Sequence, residues 1–187
     1  YDFDETKDIF DLQDEIALSI LQGTRITSKY ARPELATNDP KLYKMHIKAR
    51  SLFTKNTPLS NKEAENLYEK LLEKEPENFR FMNSLGWVYW QKIILRISDN
   101  PKEDIQQGLK FANKALSIRQ THAPSLSLEL SLELMMGNHD EACKKVKKIF
   151  QHSETIFDTA LGAAGAHSCG DLELALSNYE YVLSTAP

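Results

Sequence analysis

The sequence predicts an all-α protein, an array of antiparallel helix pairs. One spacing of side chains, in steps of four, three and five residues, occurs four times along the 187-residue chain. Glycine and alanine also recur beside large apolar residues, where small side chains allow two helices to pack closely. A single helix pair cannot bury its own apolar face, so neighbouring pairs with the same pattern are expected, and the sequence contains them.

The repeated spacing defines the register of the array. It occurs as Ala64, Tyr68, Leu71, Pro76; as Gly108, Ala112, Ala115, Gln120; as Ala142, Val146, Ile149, Glu154; and as Ala175, Tyr179, Val182, Pro187. The first two steps keep the side chains on one helical face, and the last reaches the end of the helix. The four sets are 44, 34 and 33 residues apart. A period near 34 with one insertion of about ten residues explains these distances.

Residues 1–38 are predicted to lie outside the repeats, as a polar tether followed by an amphipathic connector helix. In the connector, apolar residues recur at steps of three and four, at Ile9, Leu12, Ile16, Ile20 and Leu21. Asp39 and Pro40 then start the first helix of the array, as an N-cap acceptor followed by proline at the first helical position. We expect the chain to be a fragment of a longer protein.

Residues 39–187 are predicted to form about four helix pairs, at 39–76, 77–120, 121–154 and 155–187. The insertion lies at 91–99, and its apolar content predicts that the preceding helix runs on and protrudes. Two capping boxes mark helix starts, at Ser60 with Glu63 and at Asn100 with Glu103, and Asn138 with Glu141 is a third candidate.

The segment from Ser125 to Leu134 contradicts this register when it is considered alone. It alternates leucine with polar residues, which is typical of a strand. However, it contains no β-branched residue, leucine favours helices, and the register requires a helix here. We therefore predict a helix that packs on more than one side.

The 34-residue pattern resembles the tetratricopeptide repeat (TPR). The residues that carry the resemblance are Leu85-Gly86 with Tyr89, Ala64 with Tyr68 and Pro76, Gly137 before Ala142, and Gly170 before Ala175 with Tyr179 and Pro187. The resemblance implies a right-handed superhelix of helix pairs and a non-catalytic role in protein–protein interaction. Leu130 and Glu133 depart from the pattern, so the third pair is expected to be less compact.

The N-terminal segment carries a narrower resemblance. Tyr1-Asp2 and residues 8–17 resemble the connector of bacterial multidomain signalling proteins, where it joins a domain similar to the N-terminal domain of TolB to a TPR tail. This implies the C-terminal tail of an adenylate or guanylate cyclase. A winged-helix transcriptional regulator and a free-standing peptide-binding scaffold are the alternatives. No cyclase residue aligns with the chain, so it is not expected to be an enzyme itself.

Composition and charge restrict the partner. The net charge is -4, from 23 basic and 27 acidic residues, which creates no general attraction to nucleic acid or anionic membrane. No apolar run has the length of a membrane span. The expected partner is a protein, a peptide or a second copy of the chain. Cys143 and Cys169 suggest no disulfide framework, which favours a reducing compartment, the cytoplasm.

Few residues suggest chemistry. His139, Cys143, His167 and Cys169 are the only soft-ligand set, but they lie in different repeats and lack metal-site spacing, so we predict no metal, cofactor or catalytic residue. Residues 162–166, Gly-Ala-Ala-Gly-Ala, lack the lysine and hydroxyl residue of a phosphate loop and predict a close helix contact. The lysines at 144, 145, 147 and 148 indicate a solvated face or a site for an acidic partner.

The surface predicted to bind a partner is the concave groove that the first helices of the pairs would line. Its predicted residues are Asn83, Trp87, Trp90, Ser127, Ser131, Ala160, Ala164 and His167. Trp87 and Trp90 are the strongest anchor candidates, because aromatic side chains dominate interface energetics. Alternatively, the two tryptophans pack against the insertion or the N-terminal helix, which could itself occupy the groove.

Overall fold

A computed structural model describes residues 36–185 of the chain. Within this range the helices are α1 (Pro40–Thr54), α2 (Pro58–Lys74), α3 (Phe79–Ile94), α4 (Pro101–Ile118), α5 (Ala123–Met135), α6 (His139–Cys143), α7 (Val146–Gln151), α8 (Ile156–Ser168) and α9 (Leu172–Thr185). No strand occurs among these residues. Consecutive helices other than α6 and α7 pack on each other, and α5 also packs on α3 and on α8. The predicted tether and connector helix lie outside the described residues.

Most helices begin where a side chain caps the backbone. Asp39, Thr57 and Asn78 accept hydrogen bonds from the first free N–H groups of α1, α2 and α3. The predicted start at Asn100 is also found, since its Oδ1 accepts from the N–H of Glu103. The predicted start at Ser60 is wrong, because Thr57 is the N-cap and Ser60 completes the capping box three residues later.

The insertion at 91–99 begins inside the packed array. Helix α3 continues to Ile94, and the chain then turns at Arg96, which has a φ of 56°. Gln91 is buried, accepts a hydrogen bond from Asn61 Nδ2 at 2.9 Å and donates one to the Phe53 carbonyl oxygen at 3.0 Å. The first residues of the insertion therefore join α3 to α1 and α2 and do not protrude.

The leucine-rich run from Ser125 to Leu134 is helical, as predicted, and lies within α5. Its period of two puts the leucines on two opposite sides of this helix. Leu126 and Leu130 pack with buried residues of α6 to α9, whereas Leu128 and Leu132 pack with buried residues of α4. A strand-like pattern thus arises in a helix that is covered on both sides.

Helices α3 and α4 approach closely at two glycines. A Cβ atom on Gly86 would lie 3.3 Å from the Gly108 carbonyl oxygen and 2.5 Å from Leu128 Cδ2. A Cβ atom on Gly108 would lie 2.8 Å from Leu132 Cδ1. The space that the two glycines leave is therefore filled by the leucines of α5, so that three helices meet at one point.

The second helix of the third pair is broken. Helix α6 ends at Cys143, α7 begins at Val146, and the chain makes a turn between them. Lys145, in this turn, lies 3.4 Å from Glu129 of α5. Asn138 precedes α6 but makes no side-chain cap, so the predicted capping box at this position is wrong.

We predict that Gly86→Ala lowers the free energy of unfolding by about 1–3 kcal/mol, because the added methyl group collides with Leu128 and the backbone of α4. This loss outweighs the gain of about 1 kcal/mol that alanine brings to a helix interior. Urea denaturation of the two proteins measures the difference.

The matched control combines Gly86→Ala with Leu128→Ala. Removal of the leucine frees the space for the methyl group, so the double variant should lose less stability than the two single variants together. Strict additivity of the two losses would contradict the packing of Leu128 against Gly86.

Candidate protein-binding surface

The predicted groove residues lie on α3, α5 and α8, the first helices of the second, third and fourth pairs. Because α5 packs on both α3 and α8, these three helices form a continuous row. The residues on this row differ in how accessible they are. Asn83 and Ser127 are buried, whereas Trp87, Trp90, Ser131 and Ala160 are half-buried, and Ala164 and His167 are exposed.

Asn83 joins α3 to α5. Its Oδ1 accepts a hydrogen bond from Ser125 Oγ at 3.1 Å, and Ser125 Oγ also lies 2.7 Å from Nδ1 of His122. A buried amide with its oxygen engaged in this way orients the two helices. Asn83 therefore supports the row of first helices from within.

The serines of α5 bond to their own helix. Ser127 Oγ donates to the Ala123 carbonyl oxygen at 3.0 Å, and Ser131 Oγ donates to the Ser127 carbonyl oxygen at 2.8 Å. These bonds satisfy the hydroxyl donors locally. Ser131 still presents part of its surface, and it is small and uncharged.

Trp87 and Trp90 form the aromatic feature of the surface. Their ring centroids are 5.2 Å apart and the rings meet edge to face at 76°. Both pack against the cluster that contains Ile105, Leu128 and Leu132, and Ile93 of the insertion joins the same cluster. The tryptophans and the insertion thus share one apolar cluster, and each indole remains half-buried.

Helix α8 presents small residues on the exposed side and packs through glycines on the other. A Cβ atom on Gly162 would lie 2.9 Å from the Phe150 ring, and one on Gly165 would lie 3.1 Å from Leu130. Residues 162–166 thus make the close helix contact that the sequence predicts. Ala160 and Ala164 are left toward solvent as a surface of low side-chain volume.

A polar cluster, which sequence reasoning missed, lies between the N-terminal ends of first helices and the C-terminal end of α7. Arg80, His122, His152 and Asp158 line a cavity of about 10 Å³, room for one water molecule. Asp158 Oδ2 accepts from the N–H groups of Glu154 and Thr155, and Asp158 Oδ1 has no hydrogen-bond partner among the described residues. The spacing of Thr155 and Asp158 is a capping-box signal, so this helix start was readable from the sequence.

Lys92 ties three helices together. Its Nζ lies 2.5 Å from Glu65 Oε1 of α2 and 3.8 Å from Asp104 Oδ1 of α4, and it sits 4.5 Å from the centroid of the Tyr89 ring. Burial, followed by the charge of Glu65, raises the pKa of Tyr89 to about 12. The shift moves the pKa further above physiological pH, where the phenol is neutral, and the cluster has a structural role.

Cys143 and Cys169 form a disulfide bond, which corrects the expectation that they suggest no disulfide. Their Cα atoms are 5.6 Å apart although 26 residues separate them in sequence. The end of α6 meets the end of α8 because the fourth pair stacks on the third. With both sulfur atoms bonded to each other, neither is a thiolate ligand or a nucleophile.

The disulfide also bears on the compartment. Disulfides persist mainly in oxidising environments, whereas the cytoplasm that the sequence favoured is a reducing compartment. Among residues 36–185, no group of three or more histidine, cysteine, aspartate or glutamate side chains is arranged to hold a metal ion. No helix in that range is both long and apolar enough to cross a membrane.

Solved structures similar to this chain include one that matches over most of its length. It is a thermophilic TPR protein, TTC0263 of Thermus thermophilus, with a TM-score of 0.65 and 18% sequence identity over 95% of this chain and 89% of that chain. At this identity the similarity shows the fold alone. The predicted all-α, TPR-like fold is thus confirmed. No protein-family model matches the sequence, and no curated protein matches it.

We predict that replacing both cysteines by serine lowers the free energy of unfolding by about 3 kcal/mol, because the bond closes a loop of 26 residues in the unfolded chain. Urea denaturation before and after treatment with a dithiol reductant measures this effect on the native protein.

The double-serine variant is the control and should show no response to the reductant. Thiol titration of the unfolded native protein should find no free thiol before reduction. Two free thiols in freshly purified protein would contradict the disulfide.

Proposed function

We propose that the chain is a non-catalytic protein-interaction module that binds a peptide or a segment of another protein along the row of first helices, α3, α5 and α8. The observation that carries this proposal is the half-buried pair Trp87 and Trp90, held edge to face above a packed core. Aromatic side chains of this kind supply large contact areas at binding surfaces.

The Trp pair is already ordered by its contacts. Its rings contact each other and rest on Ile105, Leu128 and Leu132, so binding would immobilise few additional side-chain torsions. Binding energy is lost when flexible groups must be ordered, and this surface avoids much of that loss. The pair is therefore suited to anchor an apolar or aromatic side chain of the ligand.

The rest of the row determines the chemistry of the ligand. Ser131, Ala160 and Ala164 are small and uncharged, so a ligand backbone can approach α5 and α8 closely. His167 lies at the C-terminal end of α8 and is the titratable side chain in the proposed set. A neutral segment with one or two large apolar side chains fits this surface better than a charged tail.

We also propose a parent protein. Residues 8–17, outside the described range, resemble the connector of bacterial signalling proteins. This resemblance supports the proposal that the chain is the C-terminal tail of an adenylate or guanylate cyclase. A winged-helix regulator is the alternative with the same connector. The Cys143–Cys169 disulfide favours the other alternative, a free-standing binding module in an oxidising compartment, over a tail in the cytoplasm.

The binding proposal is tested with a library of random peptides of about sixteen residues, roughly the length that spans one groove of this kind, displayed on phage and selected against the chain. Peptides that bind are synthesised and titrated by fluorescence anisotropy. We expect Ala164→Arg to weaken binding by about tenfold or more, because a long charged side chain would cover the exposed part of α8 without removing a buried group.

The matched control is Asn113→Arg, which adds the same side chain at an exposed position on α4. This variant should bind the selected peptides as the native protein does. Tryptophan emission should also shift when peptide binds, since Trp87 and Trp90 lie on the proposed surface. Equal binding by both arginine variants, with no change in emission, would rule out this surface.

A further inference from the structure

The Cys143–Cys169 disulfide joins two places where helices end. Cys143 is the last residue of α6, and Cys169 directly follows α8. Helix α6 packs on α5, whereas α7, which follows it, packs on both α5 and α8. The disulfide therefore ties α6 covalently to the fourth pair, across the boundary between the third and fourth pairs.

The other contacts that hold α6 are few. The second helices of the first two pairs, α2 and α4, have 17 and 18 residues, but the corresponding helix of the third pair is split into α6 with five residues and α7 with six. Helices this short are not stable on their own in water. Among the described residues, no side chain caps the start of α6, and only Ala142 of this helix is buried. The segment thus depends on its contact with α5 and on the disulfide at its end.

The second half of α8 meets the third pair through small residues. Its buried residues are Gly162, Ala163, Gly165 and Ala166. Stabilisation by burial grows with apolar area, so these residues contribute less from the α8 side than the leucines through which α5 packs on α4. A covalent bond therefore adds more to the attachment of this end of α8 than it would at a leucine-rich contact.

A reductant can reach the bond, because both cysteines are half-buried and the bond lies near the surface. One thiolate of a dithiol attacks one sulfur, the other cysteine leaves as a thiolate that takes up a proton, and a mixed disulfide forms. The second thiolate of the dithiol then displaces the remaining cysteine, which also takes up a proton. The protein gains two electrons and two protons and ends with two thiols, and the dithiol is oxidised to a disulfide.

We propose that the Cys143–Cys169 disulfide is a redox site that controls the order of α6 and of the end of α8. In the oxidised chain the bond holds these two segments together. When a dithiol reduces it, they open locally while α1 to α5 stay folded. Local opening of this kind occurs where few buried apolar contacts hold a segment.

The opening extends to the proposed binding surface. Ala164 and His167, two residues of that surface, lie on α8 within five residues of Cys169. Reduction removes order from this end of the row, so a ligand has to supply the ordering when it binds, which weakens binding. This step rests on the proposed function, whereas the opening itself does not.

The chain carries its own probes of the opening, the four lysines that follow Cys143 at positions 144, 145, 147 and 148. A protease cuts a folded chain where a segment opens. The 187-residue chain is reduced with a dithiol, the reductant is removed in the absence of air, and cleavage by a lysine-specific protease is followed by mass spectrometry. We expect cleavage at the four lysines to become about tenfold or more faster on reduction.

Lys110 and Lys114 are the internal control, since they are exposed on the continuous helix α4. Cleavage at these two lysines should change far less. The variant with Cys143→Ser and Cys169→Ser should be cut as the reduced chain is, without any treatment. Oxidised glutathione should restore slow cleavage to the reduced native chain and leave the variant unchanged.

Binding is measured on the same preparations, with the peptides selected for the row of α3, α5 and α8. We expect reduction to weaken their binding by about tenfold, a coupling of ordinary size between two sites.

Each arm can contradict its own step. Unchanged cleavage at the four lysines, or equal acceleration at these lysines and at Lys110 and Lys114, would overturn the redox site. Faster cleavage with unchanged peptide binding would overturn its control of the ligand. If the selection yields no peptide, the proposed function fails, and the cleavage experiment still decides whether the disulfide controls the two segments.

Discussion

The close approach of α3 and α4 at Gly86 and Gly108 is the constraint on which the rest of the structure depends. Because neither residue has a side chain, Leu128 and Leu132 of α5 reach into the crossing and join the second pair to the third. The position of α5 therefore depends on the absence of side chains at these two glycines. A methyl group at either glycine would collide with a leucine of α5, at 2.5 Å for Gly86 and 2.8 Å for Gly108.

The same crossing prepares the proposed binding surface. Leu128 and Leu132 fill the glycine crossing on one side and support Trp87 and Trp90 on the other. The tryptophans thus rest on two leucines that themselves pack against the backbone of α3 and α4 at the two glycines. In a repeat protein each unit contacts only its neighbours. Here the second and third units are joined at the point where the tryptophan pair lies.

Sequence periodicity was sufficient to predict the fold, because the contacts within each repeat join residues that are close together in the sequence. The spacing of Ala64, Tyr68 and Leu71 predicts one buried helical face, and all three are buried. The sites depend on contacts between repeats, which periodicity does not contain. Asn83 was predicted to face a ligand, but Ser125, 42 residues away, takes its oxygen. The disulfide was missed for the same reason, since Cys143 and Cys169 meet only when the fourth pair stacks on the third.

A repeat array must also satisfy the face that each unit presents to the next. Tyr68 and Tyr179 occupy equivalent positions, yet the first is buried beneath α3 and the second is exposed. Their surroundings differ because burial in an array depends on the neighbour as well as on the residue.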